Sequence, residues 1–140
     1  MKNSLKLSVT VLTCFIVFFT GYFMGQTNKI DTDLRVENVR MSEILATIHD
    51  IDAERKYGKE YPGGDTRLWL ESRLVQAIIS IGPLLTQCKD EEVKRETFLI
   101  LAEVFPYKEQ LLSHLQDSKK IEEIRRILSL AEKELIKRGV

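Results

Sequence analysis

The sequence predicts an all-α protein: an N-terminal single transmembrane helix followed by a small domain of about five helices packed as antiparallel hairpins. Three observations carry that expectation. Residues 7–24 form an uncharged run of 18 positions, LSVTVLTCFIVFFTGYFM. Beyond it, apolar residues recur at spacings of three and four, the period of a helix with one buried face. Turn residues gather at a few points, around residues 58–64, at Gly82-Pro83, at Pro106 and at Asp117-Ser118.

The first element is the uncharged run. Eighteen residues at 1.5 Å each span about 27 Å, against roughly 30 Å for the hydrocarbon core of a bilayer. Residues 1–6 are a short basic tail with Lys2 and Lys6, and the anchor itself is taken as residues 7–25. A cleaved signal peptide needs small residues at −3 and −1 of the cut. A cut after Gly25 puts Phe23 at −3, and a cut after Gly21 puts Phe19 there. Cys14 follows Thr13 rather than the small residue of a lipidation site. An uncleaved signal anchor is therefore favoured over cleavage. The basic residues that follow, Lys29, Arg35 and Arg40, are matched by Asp31, Asp33 and Glu37, whereas the tail is purely positive. The tail is thus expected to stay in the cytoplasm. That places the C-terminal domain outside it, on a single-pass protein of the cell (inner) membrane. The alternative is a periplasmic or secreted protein after cleavage.

Residues 26–33, QTNKIDTD, read as a juxtamembrane connector, and residues 34–140 as the extracytoplasmic helical domain. Leu34, Met41, Ile44, Leu45, Ile48 and Ile51 make the first stripe, with Asp33 or Ser42 as N-cap. Residues 58–64, GKEYPGG, are a loop, after which Asp65 or Thr66 caps the second helix. That helix, residues 66–81, is apolar over most of its circumference and should be central. Gly82-Pro83 should end or kink it, because proline lacks the amide proton and clashes with the preceding turn. Asp90 caps the third helix, with Glu91 and Glu92 set favourably against its dipole. Pro106 makes the next corner. Tyr107, Leu111, Leu112 and Leu115 form a brief helix ending at Asp117-Ser118. In the last, Ile121, Ile124, Leu128, Ala131 and Leu135 follow a 3-4-3-4 spacing, and Gly139 is a stop signal. The stretch of residues 90–104, DEEVKRETFLILAEV, resembles the first helix of a HEAT-type repeat. The likeness covers about a tenth of the chain and implies hairpin stacking.

The 140 residues hold 21 Lys+Arg and 21 Asp+Glu, a formal net charge of zero. That balance argues against a nucleic-acid partner, which requires a clustered basic excess. Two cysteines cannot build a disulfide scaffold or a four-cysteine zinc site. His49, Asp50, Asp52 and Glu54 form the densest group of metal-binding residue types, yet His49 and Asp52 share one helix face and Asp50 and Glu54 another. Half a metal site is all they offer, and no metal or other cofactor is expected. Cys88 and Ser72, Ser80 and Ser113 lack the strand-turn-helix setting of known nucleophiles. Gly63-Gly64-Asp65-Thr66 lacks the ending of a phosphate loop. A non-enzymatic, membrane-anchored protein-interaction module is the function these residues suggest. The alternative is an exported soluble inhibitor or immunity-type protein. The best contact residues are Tyr57, Tyr61, Pro62 and Gly63, aromatics in a proline-glycine loop. Partners are the membrane through residues 7–25 and another envelope protein. A homodimer through residues 118–138 or through Cys88 is a further option, although Cys88 should lie buried beside Leu84 and Leu85.

Overall fold

One helix overrides several expected boundaries at once. In the computed structural model, which describes residues 2–56 and 64–139, α1 (Lys2–Lys56) runs for 55 residues without a break. At 1.5 Å per residue it is a rod of about 80 Å. Residues 26–33 are one stretch of that rod, so neither Asp33 nor Ser42 caps a helix start. Both lack an opportunity, because their neighbours on each side already supply i→i−4 hydrogen bonds. Thr32 and Thr47 bond back to the carbonyls of Asn28 and Glu43, which lets polar residues sit within a helix.

The other elements are α2 (Gly64–Gln87), α3 (Glu91–Val104), a 3₁₀ turn at Phe105–Tyr107, α4 (Lys108–Ser113) and α5 (Ser118–Arg138). No strand occurs among the described residues. The helix count and packing therefore differ from a separate anchor plus five helices turned at proline corners. The uncharged N-terminal run and the first body helix are continuous. Four long helices do the packing, and α4 is a turn and a half.

Pro83 does not end its helix. It lies inside α2, which continues to Gln87. The reason is tertiary: Leu85 and, just beyond the helix, Cys88 are buried in the core, holding the last turn down. Gly82 beside it lies close against α5. A Cβ there would come within 2.9 Å of Ile127 Cδ1 and Glu123 Oε1. Pro106 behaves as expected and sits in the 3₁₀ turn that follows α3. Asp65 and Thr66 fall inside α2 rather than before it. Asp90 and Asp117 are true N-caps, each accepting two amide hydrogens of the next turn, and Gly139 closes α5 at φ 75°.

The helices form two antiparallel pairs set side by side. Asp52 near the end of α1 meets Arg67 near the start of α2, and Asp31 accepts from the Lys89 amide beyond the end of α2, so α1 and α2 are antiparallel. Arg138 at the end of α5 meets Glu91 at the start of α3, so that pair is antiparallel too. α1 packs on α3 and α2 on α5, while the consecutive helices α2 and α3 make no extended contact. The stripe of Leu34, Met41, Ile44, Leu45, Ile48 and Ile51 is 0–8% exposed, as are Leu74, Ala77, Ile78 and Ile81 of α2. Ile124, Ile127, Leu128, Ala131 and Leu135 are buried as well. Each large apolar side chain so placed contributes about 1.5–3 kcal/mol relative to exposure. The last helix thus spends its stripe inside the bundle.

The part of α1 before the bundle is different. Every side chain described from 19 to 26 is exposed, with Phe19, Tyr22, Phe23 and Met24 at 53–65%. The side chains of residues 2–18 lie outside the described residues. Among those described, the one helix long and apolar enough to cross a membrane is Thr66–Gln87, and half of it is buried in the bundle. It is the core helix that its composition predicts.

Candidate functional site

The end of the bundle opposite the N-terminus collects polar groups from three helices. α1 contributes Asp52, α2 contributes Arg67 and Glu71 one turn apart, and α4 contributes Gln110, with His114 just past its end. Arg67 and Glu71 are 9% and 5% exposed. Arg67 Nη1 pairs with Asp52, its Nε donates to Glu71 Oε1 at 2.9 Å, and its Nη2 donates to Gln110 Oε1 at 3.3 Å. Gln110 Nε2 donates in turn to Glu71 Oε1 at 2.7 Å. His114 Nε2 stands 3.6 Å from Glu71 Oε2. Charges removed from water are tolerated only when paired and hydrogen-bonded, and this set meets both conditions. It ties α1, α2 and α4 together.

Beside the network is a cleft of about 250 Å³ between α2 and α4, lined by Leu68, Glu71, Ser72, Val75, Leu111, His114 and Leu115. Its walls are aliphatic and its polar floor is Glu71. On α2, next to the cleft's Leu68, Trp69 is 58% exposed, with the Arg73 guanidinium 5.3 Å from its ring centre. Leu68 is itself half exposed. Exposed tryptophan and leucine side by side are unusual for a free surface and typical of contact patches.

Ser72, His114 and Glu71 share this cleft, and they are the residue types of a nucleophilic triad. No hydrogen bond joins Ser72 to His114 among the described contacts. The Ser72 amide lies within the α2 ladder, so it cannot serve an oxyanion.

Tyr57, Tyr61, Pro62 and Gly63 lie outside the described residues. The segment they belong to starts after Lys56 and ends before Gly64, the adjoining ends of α1 and α2. His49 is exposed, with its ring 5.7 Å from that of Tyr107. Asp52 is engaged by Arg67, so the four metal-binding residue types around His49 do not converge. No group of three such residues suits a metal among the described residues. His114, beside Leu111 and Leu115, is 48% exposed at its side chain and forms part of the cleft wall.

At the opposite end a wider depression of about 350 Å³ is lined by Leu85, Glu91, Lys94, Phe98, Leu130, Glu134, Lys137 and Arg138. Its charges pair with one another, Glu91 with Lys94 and Arg138. Close by, Cys88 is 3% exposed. Burial first, then a hydrogen bond with Asp31, pushes its thiol up to about 11. A thiol so placed is protonated at neutral pH and poorly suited to link two chains.

Sequence reasoning missed Arg67, Glu71 and Gln110. The spacing of Arg67 and Glu71 by four puts opposite charges on one face of a mostly apolar helix, a usable signal, since charges that a central helix buries must find partners. Gln110 came from another element and carried none. No protein-family model, curated protein or solved structure matches this chain.

Proposed function

We propose that this protein is a single-pass, membrane-anchored helical interaction module, non-enzymatic, whose bundle stands outside the cytoplasm and meets another protein at its far end. The observation that carries the reading is α1 itself. Its bundle-facing stripe begins near Ile30 and Leu34, while residues 19–26 stand clear of the bundle with aromatic and apolar side chains exposed. Together with the uncharged run of residues 7–24, that is the arrangement of an anchor leading directly into a folded body. A continuous helix allows little swing between the two. From residue 26 to residue 56 the rod rises about 45 Å, so the far end is presented well away from the lipid. There lie the cleft, Leu68 and Trp69, beside the ends of the Tyr57–Gly63 segment.

The second reading is an exported soluble inhibitor or immunity-type protein. It is favoured by the self-sufficiency of the core, whose first α1 member among the described side chains is Ile30, so removal of about 25 residues leaves the described core residues in place. Membrane fractionation and intact mass separate the two. Full-length mass in a carbonate-resistant membrane fraction supports the anchor. A mature species short of its first 25 or so residues in the soluble fraction replaces it with the second reading. Cross-linking from position 69 in cells tests the contact: a specific protein adduct supports it, and its reproducible absence counts against it.

A further inference from the structure

We propose that the cleft between α2 and α4 is a one-residue anchor pocket for a polypeptide partner, taking a large apolar side chain that has a Lys or Arg next to it. This deepens the far-end contact reading and rests on it for the source of the peptide.

Size is the first argument. A cavity of about 250 Å³ is below the range usual for whole small-molecule ligands. It suits one leucine- or phenylalanine-sized group, the way interface hot spots seat a single anchor in a pocket. Lining is the second: Leu68, Val75, Leu111 and Leu115 give aliphatic walls. Charge is the third. Beneath the cleft, Glu71 and Asp52 face a single cation, Arg67, so the ion network holds one more carboxylate than guanidinium. Glu71 is 5% exposed and lines the cavity. Its Oε1 takes both the Arg67 and the Gln110 donors, while its Oε2 faces His114 at a separation too long for a strong hydrogen bond. A cation entering beside the apolar anchor restores neutrality, and an anion meets repulsion. The half-exposed Leu68 and Trp69 next to it extend the apolar contact beyond the pocket.

The test uses the full chain in lipid nanodiscs with ¹³C-methyl-labelled leucine. The probe is the blocked dipeptide acetyl-Phe-Arg-amide, with acetyl-Phe-Glu-amide as its charge-inverted control. The expected result is saturable shifts of the Leu68, Leu111 and Leu115 methyls, with Leu128 unmoved. Affinity for the Arg peptide should exceed that for the Glu peptide on the order of fivefold. Ser72→Phe fills the exposed side of the cleft without touching the ion network and should abolish the shifts. Asp52→Asn removes one surplus charge from a partly exposed position and should bring the two peptides to near-equal affinity. Equal binding of both peptides to the unmodified protein, or shifts that survive Ser72→Phe, overturns the proposal. Loss of dipeptide binding alongside a persistent cross-link from position 69 overturns the pocket and leaves the far-end contact standing. Binding without any cellular adduct does the reverse.

Discussion

The two ends of the bundle are fastened by different physics. At the far end, Arg67 and Glu71 are almost wholly out of water and bonded to Asp52 and Gln110 on neighbouring helices. At the end nearer the N-terminus, Arg35–Asp90 and Arg138–Glu91 join α1 and α5 to the start of α3 through partly exposed pairs. Between them, Asn38 is 1% exposed and neither its amide nitrogen nor its oxygen has a partner. Polar groups in one small bundle can thus clamp, decorate or weaken it, and burial with pairing decides which.

Breaking the clamp should have the largest effect. Glu71→Ala leaves the buried Arg67 with Asp52 as its one carboxylate and strips Gln110 Nε2 of its acceptor, and each lost hydrogen bond to a charged group costs about 1.5–3 kcal/mol. Urea unfolding of the nanodisc-free protein in mild detergent would show it as a lower midpoint. A change below 1 kcal/mol would mean that water reaches the network. Next comes the buried thiol. Cys88, pushed up from its ordinary 9.0 to about 11 by burial, should alkylate at neutral pH on the order of a hundredfold more slowly in the folded protein than in urea, from thiolate fraction alone. Equal rates would place Cys88 at the surface.

Asn38→Leu sharpens the contrast in the opposite direction. Removing an unpartnered buried amide in favour of an apolar side chain should stabilise by about 1–2 kcal/mol. A loss of stability instead would show that Asn38 is satisfied in solution. The smallest effect belongs to the exposed pairs. Backbone hydrogen bonds from Val93 and Glu92 and the nearby Arg35 hold Asp90 below its ordinary 3.8, and Lys94 and Arg138 hold Glu91 below 4.5. Groups depressed in the folded state add stability above their ordinary values and lose it as pH falls through the folded ones. The near end should therefore loosen first below about pH 4, seen as faster amide exchange at the start of α3. Arg138→Ala should return the Glu91 titration toward 4.5 with little change in melting temperature.

Much of this was legible in the residues. The α1 stripe, the cap at Asp90, the corner at Pro106 and the stop at Gly139 follow from period and local hydrogen bonding, which depend on near neighbours in sequence. Pro83 shows the limit. Its local effect is to break a helix, yet Leu85 and Cys88 gain enough by burial to carry α2 past it. The cleft shows the same limit from another side, because Gln110 and His114 reach Glu71 across about forty residues of chain.

By itself, then, the sequence determined an all-helical chain, the faces its helices bury, and an uncharged N-terminal run. Those features are fixed by periodicity and by the charge of adjacent residues. Tertiary structure alone decided that the uncharged N-terminal run and the body share one unbroken helix, that α2 lies against α1 and α5, and that two carboxylates converge on one arginine beside a cleft. Such convergence depends on how helices distant in sequence share a core, and no local pattern encodes it.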